Sequence, residues 1–329
     1  MEKNINNYAV SYVITAFNKK IYSESILRSL VEEGGNHKRE YILIDDGSTD
    51  GTSKIYRKLK DKLPGKLKII KQKNMGASAA TNTGVMNSKF PWIRLLDGDD
   101  IIVKKSTFCM LKAANEKNVD FIYGNLGVAS EYCDINYQYN EEHFNFISRN
   151  KGLKAFIKNC PANSSSILVR KKRYIQSGGC NELLVSPDQM LFLRLFNSGD
   201  GLNFNNKVAL VPEYSSKRLS SQIKRSRYES ILAIINLLEF SNDINLNIKH
   251  YAYKRVLSRA YNYHRFFGGS RYCMIYFNYL RSKIYFPSDY LDGMKSTLKI
   301  FTGTENSIRP KAWNTGAKKI GKYREILRE

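Results

Sequence analysis

The chain has 329 residues, 42% hydrophobic and 12% aromatic, enough for one large globular domain plus a smaller region and too apolar for a disordered tail. Five scattered cysteines (109, 133, 160, 180 and 273) without C-x-x-C spacing point to reduced thiols, and four isolated histidines (37, 143, 250 and 264) form no ligand pair, so any metal is expected to be held by oxygen. The net charge of +23 is uneven: residues 215–329 carry 22 Lys and Arg against 8 Asp and Glu, which predicts an anionic partner for that half.

The opening MEKNINNYAV is polar where a targeting signal has its apolar core, and the longest apolar run, 231–238, falls short of the roughly 20 residues of a bilayer span. A cytoplasmic protein is expected. In chain order, strand-length apolar runs lie at 8–15, 40–45, 66–71, 91–96 and 120–124. Between them, Ile26, Leu27, Leu30 and Val31 mark one helical face, Ile55, Leu59 and Leu63 a second, and Phe108 and Leu111 a third. Such alternation predicts βαβ units and a mainly parallel sheet covered on both faces. Ligands of such sheets bind beyond the carboxyl ends of the strands, where the loops TAFN, DDGSTDGT, NMGASAATNTG and DGDD are expected to line one cleft. Further on, residues 164–172 read as a strand, 187–199 as a helix opened by proline and stopped by glycine, and 207–213 as a strand. From residue 227 the pattern is helical, with nine tyrosines between residues 251 and 290.

In LLDGDD, Asp97, Asp99 and Asp100 set three like charges within a few ångströms, which repel unless a cation or a set of donors sits among them; a plain Asp-Gly turn is the alternative. Asp45 and Asp46 close a strand, with Ser48 and Thr49 placed to cap the next helix. A carboxylate there either accepts from a nucleobase N–H or simply caps a turn. Gly76 and Gly84 bracket a helix start whose free backbone N–H groups can meet phosphate, although neither a G-x-G-x-x-G nor a P-loop spacing is present.

The order VSYVITAFNK, YILIDDGSTDGT, KNMGASAATNTG, WIRLLDGDD and, about ninety residues on, GGCNELLVSPDQMLFLRL resembles the family 2 glycosyltransferases over roughly residues 8–212. The resemblance implies an α/β GT-A (Rossmann-like) fold. The expected divisions are residues 1–213 (a nucleotide-sugar half to 125, an acceptor and catalytic half from 126) and a basic helical region, 214–329. It implies nucleotide contacts from Thr15, Asp45, Asp46, Asn74 and Gly76, and a D-x-D motif at Asp97, Gly98 and Asp99, with Asp99 holding Mn²⁺ or Mg²⁺ on the donor diphosphate. Asp188 matches the family's general base, with Pro187 where an acidic residue usually stands. Thr81 stands where the family has an arginine, and Lys71, Lys73 or a basic residue of the second half is expected to replace it. The Q-x-x-R-W signature of processive members is missing, so transfer of one sugar is expected.

The implied reaction moves a sugar from a nucleoside-diphosphate donor, UDP-linked by expectation, to a glycan or lipid-linked acceptor, with inversion by direct displacement. A unit-charge pair at about 4 Å and an effective dielectric near 20 is worth roughly 4 kcal/mol, so a cation at the leaving group matters to the barrier. Two other readings stand beside it. A sugar nucleotidyltransferase would carry a glycine-rich loop after the first strand, where this chain has TAFNKK. A basic binding protein would use phosphate contacts and stacking on nucleic acid; an anionic membrane surface on the cytoplasmic side is the preferred partner and nucleic acid is not expected. Sugar, acceptor and linkage follow from no motif.

Overall fold

The computed structural model describes residues 8–130, 138–184, 186–212, 223–241, 243–267 and 272–301. Cys133, the expected boundary at 213/214 and the basic segment beyond 301 lie outside them.

The first four strands, β1 (Ala9–Ala16), β2 (Lys38–Asp45), β3 (Lys66–Lys71) and β4 (Trp92–Asp97), form a parallel block in the order β3-β2-β1-β4. β1 and β4 are apolar almost throughout because both faces are covered, whereas β3 alternates lysine with apolar residues as an edge strand does. Helices α1 (Lys20–Glu32), α2 (Thr52–Leu59), α3 (Ala77–Asn87) and α4 (Ser106–Glu116) are interleaved with these strands. The period of two divides the side chains between two cores: Val10, Tyr12, Ile14, Trp92 and Leu96 face α1 and α4, while Val13, Ile93 and Leu95 face the other way.

Beyond β4 the sheet becomes mixed. β5 (Ile101–Ile102), β6 (Phe121–Val128), β7 (Phe144–Ile147), β8 (Ile167–Arg170) and β9 (Gly201–Val211) follow, with α5 (Arg149–Lys158), α6 (Lys171–Ser177) and α7 (Asp188–Ser198) among them. β8 inserts antiparallel between β4 and β6, so the mainly parallel sheet expected has its parallel pairs among the first four strands and between β6 and β9. Arg94 pins this junction. Fully buried on β4, it donates to the carbonyls of Ser165 (2.5 Å), Ile167 (3.0 Å) and Val208 (3.0 Å), and burial pushes its pKa down to about 10.

Several boundaries differ from the sequence reading. Residues 164–166 form a tight turn and Lys171 already opens a helix, leaving a four-residue strand; β9 starts at Gly201 rather than 207. Tyr56, not Ile55 or Leu59, is the large apolar side chain that α2 (Thr52–Leu59) buries fully, and Val31 is 39% exposed while Ser23 and Ser29 are buried. The last helices, α8 (Ile223–Glu239), α9 (Leu246–Phe267), α10 (Tyr272–Arg281) and α11 (Tyr290–Leu298), are not a separate body. Ile231, Ile234, Ile248, Val256, Met294 and Phe301 share one continuous core with Phe156, Phe192 and Phe196 of α5 and α7.

Candidate active site

Register builds the site. Pairing of Ala16 with Asp45 and of Thr15 with Asp97 brings the ends of β2, β1 and β4 level, so carboxylates 52 positions apart in sequence flank one strand end. The loops behind them are laced together. Asp45 Oδ1 accepts from the Ser48 N–H at 2.9 Å, and Asp46 accepts from Gln72 Nε2 (2.8 Å), the Met75 N–H (2.8 Å) and the Gly76 N–H (2.6 Å). Asn74 and Gly76 are thereby drawn to the end of β2. Gly76 has φ +83°, in the left-handed region that favours glycine. Ser48 and Thr49 do not cap α2 as expected: the Ser48 hydroxyl accepts from the Asn18 N–H, the Thr49 N–H donates to Asn18 Oδ1, and Asp50 receives the Thr52 N–H.

The DGDD turn closes against β1. A Cβ at position 98 would lie 2.7 Å from the Thr15 carbonyl oxygen and 2.9 Å from Ala16 Cβ, so glycine is required between the two aspartates. The Asp100 N–H donates to the Asp97 carbonyl at 3.1 Å and completes the turn. Across the cleft, the Ser164 hydroxyl lies 2.9 Å from both carboxylate oxygens of Asp97, and the Ser164 N–H donates to Asp188 Oδ1 at 2.8 Å. Asn163 Nδ2 donates to Asp100 at 3.1 Å, and the Asp97 N–H donates to the Ser165 hydroxyl at 2.9 Å. One short polar turn joins the D-x-D motif to Asp188. Sequence reasoning passed over it as the start of a strand; its only signal was three serines running into ILVR.

Asp188 opens α7, and the chain ahead of it is strapped in place. Asn82 of α3 donates to the Cys180 carbonyl (3.0 Å) and Glu182 (2.7 Å), the Ser78 hydroxyl donates to the Leu184 carbonyl (2.8 Å), and the Ser186 N–H donates to Glu229 of α8 (2.9 Å). Burial raises the pKa of Asp97 well above the ordinary carboxylate value, reinforced by Asp100, Asp188 and Asp99 and opposed by the Ser164 hydroxyl. Asp188 is raised too, by burial, with the Ser164 and Ser186 donors opposing.

Lys19 is the other residue sequence reasoning missed. Its backbone N–H is held by Thr52 Oγ1 (2.9 Å), and its ammonium sits 2.5 Å from Asp99 Oδ2 and 5.6 Å from the centre of the Tyr22 ring. Thr81, at the place of the family's arginine, is buried and turns its hydroxyl back on the Ala77 carbonyl, while Lys71 and Lys73 are exposed. Beside Asp99 opens a pocket of about 330 Å³ lined by Tyr22, Ser25, Ile101, Ala129, Ser130 and Pro212. The donor set is oxygen only, the chemistry Mg²⁺ and Mn²⁺ prefer, and a cation would relieve the repulsion that lifts Asp97. Lys19 already neutralises Asp99, and among the described residues no group of three or more His, Cys, Asp or Glu stands in metal-holding arrangement.

The parallel edge β3-β2-β1-β4 thus ends in an Asp-Gly-Asp turn faced by the half-buried aspartate at the start of α7, on a mixed α/β sheet. Residues 11–178 match the family described as Glycosyl transferase family 2, and the chain belongs to that family: it is a glycosyltransferase. A cholesterol galactosyltransferase of Borreliella burgdorferi is 33% identical over 37% of this chain and 34% of its own length. The minor teichoic acid biosynthesis protein GgaA of Bacillus subtilis is 38% identical over 27% of this chain and 21% of its own. The matched segments thus span about a third or less of these relatives. Among solved structures, S. aureus TarS 1–349 in complex with UDP-GlcNAc superposes with a TM-score of 0.64 at 14% identity over 91% of both chains. The Pyrobaculum calidifontis mannosyltransferase PcManGT, in complex with GDP-Man and Mn²⁺, gives 0.57 at 14% over 90% of this chain and 86% of its own. The expected GT-A fold is the fold found.

Proposed function

We propose that this glycosyltransferase moves a single sugar from a nucleoside-diphosphate sugar, UDP-linked, to a hydroxyl of a glycan or lipid-linked glycan, with inversion. The carrying observation is the Ser164 bridge, which ties Asp97 to Asp188 within two hydrogen bonds at the carboxyl end of β4. Thr15, Asp45, Asp46, Asn74 and Gly76 form the nucleotide side, gathered at the strand ends by register and loop hydrogen bonds; the fold shared with TarS, solved with UDP-GlcNAc, supports the choice of UDP. Asp97 and Gly98 shape the turn that receives the ribose, and Asp99 would hold Mg²⁺ or Mn²⁺, which when bound offsets the charge developing on the leaving diphosphate. With an ion held at Asp99, the Lys19 ammonium that now pairs with that carboxylate would be available to the donor phosphates.

Asp188 takes the proton of the acceptor hydroxyl as its oxygen attacks the anomeric carbon and the bond to the diphosphate breaks, a contribution of about 10² to 10⁴ in rate. Its raised pKa makes it a stronger base once ionised and sets the acidic limb of the pH–rate profile above the ordinary carboxylate range. No helix among the described residues is long and apolar enough to cross a membrane. The basic surplus of residues 215–329 supports a cytoplasmic enzyme working at the inner membrane face, with anionic lipid rather than nucleic acid as its surface partner.

The test is a screen of UDP-, GDP-, dTDP- and CMP-sugars for hydrolysis with Mn²⁺, repeated in EDTA. Turnover of a UDP-sugar that stops in EDTA and returns with metal is the expected result. Turnover confined to other nucleotides overturns the UDP assignment, and full activity in EDTA removes the metal.

A further inference from the structure

The helical half carries an apolar face that the catalytic reading does not use. α10 folds back along α9: Tyr261 stacks on Tyr279 with ring centres 4.9 Å apart and meets Tyr276 at 5.4 Å, and Tyr253 meets Phe286 at 5.8 Å. Ile275 is buried in this hairpin. On its outer side Met274, Phe277 and Leu280 recur every three residues and are 56%, 63% and 39% exposed. Ile284 is 89% exposed just beyond them, and Phe266 and Phe267, at the end of α9, are 78% and 58% exposed. Soluble proteins seldom leave so many large apolar side chains together in water.

Charge selects the occupant. Residues 245–288 contain eight Lys and Arg and not one Asp or Glu. Cations lie over rings of this same region: Arg265 over Phe266 (5.8 Å), Arg281 over Tyr285 (4.7 Å) and Lys283 over Tyr279 (4.7 Å). An apolar protein partner would leave this unbroken positive field unmatched. A bilayer interface meets both demands: rings and aliphatic side chains enter the acyl boundary, while long basic side chains reach back to lipid phosphates.

We propose that Phe266 and Phe267 at the end of α9, the outer face of α10 (Met274, Phe277 and Leu280) and Ile284 insert into the interface of an anionic bilayer; this deepens the membrane-face reading above and rests on it. This names the surface by which the enzyme sits on a membrane; its support is exposure and charge, and it is independent of which sugar is transferred.

The test uses the whole chain and vesicles of phosphatidylcholine with and without phosphatidylglycerol. The wild type is expected to sediment with anionic vesicles at low salt and less as salt rises. Combined Phe266→Ser, Phe277→Ser and Ile284→Ser leaves every charge in place, and its partition is expected to fall about ten-fold or more. Its nucleotide-sugar hydrolysis in solution stays at the wild-type level, so loss of membrane binding is separable from failure of the transferase reading. A Phe277→Trp variant shifts its emission to the blue on anionic vesicles, a readout that does not depend on the triple variant folding. Wild-type partition by the triple variant, unmoved emission, or no vesicle binding by the wild type overturns the proposal. So does conversion of a dimer to a monomer with vesicle binding intact, which assigns the face to a second copy.

Discussion

The end of β2 and the junction between β4 and α7 treat their carboxylates in opposite ways. Asp45 and Asp46 are met by backbone N–H groups and an amide from the loops they order. Asp97 and Asp188 are half-buried, share donors of one serine, and carry raised pKa values. The first pair is held in place by donors of its own loops, on the proposed nucleotide side of the cleft. The second holds more negative charge than its donors offset, so a cation, or a proton in transit, lowers its energy.

The largest expected effect separates the two directly. Asp188→Asn keeps the size and most hydrogen bonding of the side chain but cannot take a proton, so kcat for transfer should fall by about 10² to 10⁴ while donor affinity persists. Near-normal kcat would reduce Asp188 to a helix-start residue stabilised by the helix dipole. At the other pair, Asp46→Ala strands the Met75 and Gly76 N–H groups, and urea unfolding should register a loss of about 2–3 kcal/mol. An unchanged midpoint would mean that the loop orders without Asp46.

The third prediction has the opposite sign. Because the folded-state pKa of Asp97 lies above its unfolded value, the folded chain binds the proton more tightly, and stability falls as pH rises from the ordinary carboxylate range toward that folded pKa. Asp97→Asn removes the desolvated charge and its repulsion, so its Tm at pH 7 should exceed the wild type's by about 2 °C or more, with the gain vanishing below about pH 3, where Asp97 is protonated in both states. A lower Tm at pH 7 would contradict the electrostatic account. The smallest effect belongs to α8. Glu229→Gln keeps an acceptor for the Ser186 N–H but loses the charge paired with Arg225, so a Tm decrease of about 1–2 °C with unaltered kcat is expected. A kcat loss matching that of Asp188→Asn would bring α8 into the catalytic machinery.

How much was legible follows the same division. Strand ends, the D-G-D spacing and the placement of Asp45, Asp46, Asn74, Gly76, Asp97 and Asp99 at one edge came from short-range pattern, because a parallel strand with both faces covered leaves a continuous apolar run and its loop must follow at once. The turn at 164–166 reads as strand in the sequence, since serines before ILVR carry no period that separates a tight turn from an extended start. Val31 was assigned to a buried stripe by its spacing, yet the sheet leaves it at the rim while Ser23 and Ser29 are covered.

By itself, then, the sequence determined the period of each element, the chemistry of each loop, and the family to which their order belongs. Only the tertiary structure decided which loops touch. Lys19 meets Asp99 across 80 positions, Ser164 meets Asp97 across 67, and the last helices join the core that supports Asp188. Such contacts depend on strand register and helix packing, which sum many weak apolar contacts over the whole chain and leave no trace in the residues that finally meet.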